Sequence, residues 1–143
     1  MGGESQPDFL RQIVVACALI EREGRLLAAR RKEGGAFPGK WEFPGGKIEP
    51  GETPEECLVR EVREELGVHV EIVRPLTPAF HRYPFLGVTL HPFLSRIVSG
   101  EILRHVHEAI QWVLPDEIES LDWLEADLPV LREYRALAGK SRG

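Results

Sequence analysis

The chain has 143 residues, of which 43% are hydrophobic and 29% charged, and a net charge of −5. That length and apolar content suit one domain with a real core and exclude a disordered chain. The acidic balance excludes a general nucleic-acid binder, which needs a basic face. It leaves room for a nucleotide substrate whose charge a bound cation offsets.

Residues 1–8 are polar and glycine-rich, so they are expected to be a flexible N-terminus, with residues 9–143 forming a single domain. The apolar, partly β-branched run 13–20 predicts a buried strand. Glu23-Gly24 predicts a turn, and residues 25–30 its hairpin partner. A glycine-rich loop is expected over 32–40. A brief strand follows at Trp41-Glu42-Phe43, broken by Pro44-Gly45-Gly46.

The next helix is well marked. Thr53 is the expected N-cap, Pro54 the first helical residue, and Glu56 the partner in a capping box. Leu58, Val62 and Leu66 form one apolar face, and Gly67 ends the helix. Strands are expected over 68–73, 77–83, 88–98 and 110–113, with Gly87 near the turn between the second and third. A loop with His105, His107 and Glu108 precedes the last strand. A final helix is expected over 128–138, with Asp127 as its N-cap or near-cap. The pattern is α+β, a sheet sandwiched between helices.

Two cysteines, Cys17 and Cys57, show no metal-binding spacing and read as small core residues. No stretch is long and apolar enough to span a bilayer, and no signal-peptide pattern stands at the N-terminus. A cytoplasmic location, without membrane association, is the expectation.

The chemistry concentrates in residues 46–68. Glu61, Glu64 and Glu65 stand at i, i+3 and i+4, so they share one helix face, and like charges there repel. Arg60 and Arg63 can relieve part of that repulsion. A hard cation that also holds phosphate relieves it better. A solvated acidic face is the plain alternative.

The full pattern is Gly46-x5-Glu52-x7-Arg60-Glu61-Val62-x-Glu64-Glu65-x-Gly67-Val68. It resembles the Nudix box with every fixed position filled. The flanks Trp41-Glu42-Phe43-Pro44-Gly45-Gly46-Lys47-Ile48-Glu49 and Gly51-Glu52-Thr53-Pro54-Glu55 resemble the MutT-like branch. The resemblance implies an α/β/α sandwich with a mixed central sheet. It implies a metal-dependent hydrolase that splits a nucleoside triphosphate into monophosphate and pyrophosphate. Glu61, Glu64, Glu65 and the Gly45 carbonyl would bind Mg²⁺, with Mn²⁺ as a possible substitute. Arg60 and Glu52 would orient the carboxylates. Glu108 is a candidate metal contact or general base, and Arg31, Phe43, Lys47 and Asp127 are candidate substrate contacts. An ionised Asp127 only accepts hydrogen bonds and favours an amino group such as that of cytosine; a protonated one could read an oxidised purine. Expected substrates are therefore 8-oxo-dGTP or CTP and 5-methyl-dCTP. The alternatives are a pyrophosphohydrolase of RNA 5′ ends and a non-catalytic nucleotide-binding regulator. No stable nucleic-acid complex is expected, and the protein should be a monomer or weak homodimer.

Overall fold

A computed structural model of the chain describes residues 11–103 and 106–142, the last three without their side chains. The expected flexible segment 1–8 and the candidate loop residue His105 lie outside the described residues. Eight strands and two helices follow one another. They are β1 (Arg11–Arg22), β2 (Arg25–Arg31), β3 (Trp41–Glu42), β4 (Gly45–Lys47), α1 (Pro54–Leu66), β5 (His69–Pro75), β6 (Ala79–Tyr83), β7 (Leu86–Ser99), β8 (His107–Val113) and α2 (Leu128–Arg142).

The continuous apolar run in β1 exists because both faces of that strand are covered. Side chains alternate along a strand. Ala16, Ala18 and Ile20 pack with Cys57, Leu58, Val62 and Leu66 of α1. Cys17 and Leu19 pack on the other side with Val130, Leu131 and Tyr134 of α2. Both cysteines are free and buried, as expected of small core residues. The result is helix, sheet, helix, as the sequence implies.

β1 runs parallel to β7 from Arg11 opposite Leu86 to Ile20 opposite Ser95. β5 and β6 pair antiparallel with β7. The expected β1–β2 hairpin forms, but the two strands pair only at Glu21–Leu26 and Arg22–Arg25. Beyond that they diverge, and β2 pairs instead with β3 and β8. The wedge opened between them is filled by β4, which pairs with β1 at Val15, Ala16 and Cys17.

Four local expectations need correction. Gly45-Gly46-Lys47 is strand β4, not a break. Phe43 lies outside β3. Gly87 lies within β7, and the turn falls at Pro84-Phe85. His107 and Glu108 belong to β8 rather than to a loop.

Candidate active site

Helix α1 is nucleated as its sequence dictates. The Thr53 hydroxyl accepts from the Glu56 N–H at 3.0 Å, and the Glu56 carboxylate accepts from the Thr53 N–H at 2.9 Å. Gly67 closes the helix at φ 75°, in the left-handed region that glycine enters without steric penalty. With Cys57, Leu58, Val62 and Leu66 buried, the acidic face is turned towards β4 and solvent.

Arg60 organises that face. Its Nε and Nη2 donate to the two oxygens of Glu52 at 2.7 and 3.0 Å. Its Nη1 donates to Glu61 at 2.8 Å and to Glu64 at 3.2 Å. The guanidinium beside Glu52 holds that carboxyl at about 2, helped by the Glu49 backbone N–H. Arg63, expected to share this task, turns instead to His69, 3.0 Å from its Nδ1.

Glu65 turns inward. It accepts from the Gly45 backbone N–H at 3.3 Å. Burial pushes its carboxyl up to about 8, and the nearby charges of Glu42 and Glu61 add to the shift. Gly46 lies against the Glu61 carboxylate so closely that a Cβ there would overlap it. Among the described residues, no three acidic, histidine or cysteine side chains already surround one point. The three glutamates share a face, but Arg60 draws two of them aside.

The donor set nonetheless fits a hard divalent cation. All its members are oxygens, backbone without side chains lies beside them, and burial, Glu42 and Glu61 disfavour the charged form of Glu65, which a bound cation would favour.

Beside this face lies a cleft of about 410 Å³. It is lined by Arg31, Gly45, Lys47 and Glu65 together with Phe43, Tyr83, Val88 and Asp127. Arg31 is fixed by two bonds, from Nε to the Ala36 carbonyl at 2.8 Å and from Nη1 to Glu42 at 2.9 Å. Phe43 is buried, its ring 4.7 Å from that of Trp123, so it is core as well as cleft wall.

Asp127 immediately precedes α2, at the expected cap or near-cap position. It ends a 3-10 turn, Glu125–Asp127, that leads into α2, and its carboxylate reaches across the fold to accept from the Phe43 N–H at 3.3 Å. It is buried, and desolvation first, then the Glu42 charge, pushes its carboxyl well above the usual range. That shift favours the neutral acid, which both donates and accepts.

The structure thus brings Arg31, Phe43, Gly45, Lys47, Glu65 and Asp127 to one cleft. Arg60, Glu61 and Glu64 stand on the adjoining face of α1, and Glu52 just ahead of that helix. Glu108 joins neither group. It is exposed on β8 and does not line the cleft. Sequence reasoning missed Glu42, which lines the cleft and bonds both Arg31 and His107. An acidic residue in a two-residue strand carries no periodic signal, and its partners are distant in sequence.

The two glycines of β4 separate stability from site geometry. A Cβ at Gly45 would overlap the backbone of Ala16 and Cys17, which cannot yield. Gly45→Ala is expected to cost about 1–3 kcal/mol or more in stability. At Gly46 the obstacle is the flexible end of Glu61. Gly46→Ala is expected to keep its melting temperature near the wild type while displacing Glu61 and lowering kcat. Thermal unfolding and steady-state kinetics on both variants check this; equal losses of stability would refute it.

An acidic helix face beside a cleft, on a sheet between two helices, defines a phosphohydrolase of the Nudix type. The NUDIX domain family model matches residues 10–137, and the chain belongs to that family. It is 36% identical over 130 residues to a CTP pyrophosphohydrolase of Escherichia coli K12, covering 90% of this chain and 95% of that protein. It is 36% identical over 120 residues to a putative 8-oxo-dGTP diphosphatase 2 of Mycobacterium tuberculosis, covering 83% and 84%. The fold matches the crystal structure of a MutT protein from Methanosarcina mazei with a TM-score of 0.80 and 28% identity, covering 92% and 97%. The chain is a MutT-like Nudix hydrolase.

Proposed function

We propose that this hydrolase cleaves nucleoside triphosphates to monophosphate and pyrophosphate, with cytosine nucleotides, CTP or 5-methyl-dCTP, as preferred substrates. The observation that carries the reading is one continuous cleft with two chemistries. Among its lining residues Arg31 and Lys47 suit a phosphate chain and Glu65 a cation, while the buried acid Asp127 and the apolar side chains suit a base.

Glu61, Glu64, Glu65 and the Gly45 carbonyl would hold Mg²⁺, with Mn²⁺ able to substitute. Bound there, it would neutralise phosphate oxygens and acidify the attacking water. Arg60 and Glu52 orient the carboxylates. Arg31 and Lys47 bind phosphate oxygens; Arg31 does so with a guanidinium already aimed by Glu42. Asp127, held by the Phe43 N–H, presents a neutral acid that donates to cytosine N3 and accepts from its amino group. The E. coli relative supports a cytosine base. The second reading, 8-oxo-dGTP, rests on the same neutral acid, which also matches the altered edge of an oxidised purine, and on the mycobacterial relative. Glu108 is not retained as a general base, because it stands apart from the cleft.

The test is pyrophosphate release from CTP, 5-methyl-dCTP, dGTP, 8-oxo-dGTP and 5′-triphosphate RNA with Mg²⁺. Hydrolysis in ¹⁸O-water is expected to label pyrophosphate, as attack on the β-phosphorus requires. Label confined to the monophosphate, or turnover of the RNA alone, would reject the reading.

Asp127 also carries a stability prediction. Its raised folded-state pKa means that its contribution is full below the ordinary carboxylate range and is lost as pH rises through the raised value. Asp127→Asn keeps an acceptor for the Phe43 N–H and cannot ionise. Its melting temperature should exceed the wild type's by a margin that grows with pH. Asp127→Ala leaves that buried N–H unpaired, at a cost of about 1–3 kcal/mol, and should also reorder the substrates. A ranking of kcat/KM identical in all three proteins would reject base reading by Asp127.

A further inference from the structure

His107 is buried, yet it makes only half of the hydrogen bonds an imidazole can make. Its Nε2 stands 2.9 Å from Glu42 Oε2, while its Nδ1 is buried with no partner. The other Glu42 oxygen, Oε1, accepts from Arg31 Nη1 at 2.9 Å. The three residues come from three adjacent strands. β2 lies between β3 and β8, and His107 pairs with Arg31 just past an irregularity in the ladder at Arg30/Arg31. That irregularity places His107 opposite Arg31.

A carboxylate oxygen only accepts, so the ring donates to Glu42 Oε2 through Nε2–H, and Nδ1 is left without a partner. As a purely structural residue His107 is a poor choice. A leucine would fill the space without burying an unpaired nitrogen. What the ring supplies is a rigid donor that holds Glu42 from the side opposite Arg31. Glu42 in turn holds the guanidinium through Nη1, while the Ala36 carbonyl holds it through Nε. His107 also lines, with Arg31, Glu42 and Glu65, a second cavity of about 260 Å³ next to the main cleft.

We propose that His107 is a positioning residue for the hydrolysis, acting through Glu42 to aim Arg31 at the phosphate chain. The inference rests on the phosphohydrolase reading given above.

The test compares His107→Leu, which removes the donor, with His107→Gln, whose amide reaches the place of Nε2, each alone and in an Arg31→Ala background. His107→Leu is expected to raise KM for the preferred nucleotide about tenfold, with kcat changed less, since a charge-assisted hydrogen bond is lost from the binding of a phosphate. His107→Gln should restore most of the loss. In the Arg31→Ala background His107→Leu should add nothing, because the residue it acts through is gone. Additive losses, or a Gln variant as poor as Leu at an unchanged melting temperature, would overturn the proposal. If His107→Leu does not fold, His107→Asn replaces it, since its shorter amide falls short of Glu42. A second readout is independent of turnover. The Arg31 guanidinium should rotate slowly by NMR in the wild type and Gln variant and quickly in the Leu or Asn variant. Should the wild type release no pyrophosphate from any triphosphate, the activity reading fails. The positioning of Arg31 then stands or falls on that NMR comparison alone.

Discussion

Glu65→Gln is expected to lower kcat by about a thousandfold, equivalent to about 4 kcal/mol of transition-state stabilisation, while leaving the protein at least as stable in EDTA as the wild type. The two halves of this expectation share one cause. Glu65 sits half-buried against β4 and accepts a hydrogen bond from the Gly45 N–H. Burial, Glu42 and Glu61 all oppose its charge. Gln keeps an acceptor for Gly45 and removes the opposed charge, so the fold loses nothing. The site, however, loses an anionic oxygen where a cation-assisted reaction needs one. A carboxylate kept against the interest of stability marks a functional position. Glu64→Gln is expected to impair turnover similarly but without the gain in stability, because Glu64 is exposed. Kinetics with Mg²⁺, with and without EDTA, and melting curves of the metal-free proteins check both statements. Full activity in EDTA, or in both variants, would sink the metal-dependent mechanism.

Much of this was legible in the sequence, for reasons that differ by element. Helix α1 carries its start, stop and buried face in a local code of Thr53, Pro54, Glu56 and Gly67, so its limits and the shared face of its carboxylates could be read directly. The run in β1 announced a strand covered on both sides, because only such a strand can be apolar at every position. β4 was not legible. Two glycines and a lysine have no strand propensity, and they form one because β1 and β2 diverge and leave backbone groups to pair. The partner of Asp127 was not legible for a related reason. The place of Asp127 before a helix is a strong local cap signal, while its actual partner, Phe43, lies 84 residues away. His107 and Glu42, 65 residues apart, meet only because β3 and β8 flank β2. Glu108 was assigned to the site by family resemblance. The alternation of β8 that buries His107 exposes it.

Arg60→Ala is expected to reduce kcat/KM by about 10–100-fold, the usual effect of removing a group that orients metal-binding carboxylates. Arg60 bonds Glu52, Glu61 and Glu64 together. Without it, neighbouring carboxylates on one face are left to repel, and Glu52 loses both of its guanidinium bonds. Lysine should not rescue the variant. A single ammonium cannot reproduce the forked pair of bonds to Glu52 while also reaching Glu61. The partner variant Glu52→Gln should cost less on its own, because Arg60 keeps its bonds to the helix carboxylates. In a double-mutant cycle the two changes should be strongly non-additive, since each removes the same pair of bonds. Acidity offers an independent check. Glu52 is held at about 2, below its ordinary value of 4.5. Its contribution to stability is therefore present above the ordinary value and lost as pH falls towards 2. Wild type and Glu52→Gln should differ in melting temperature at neutral pH and converge in acid. A difference that persists at pH 2, or additive kinetic losses in the double variant, would show that Arg60 and Glu52 do not work as a pair.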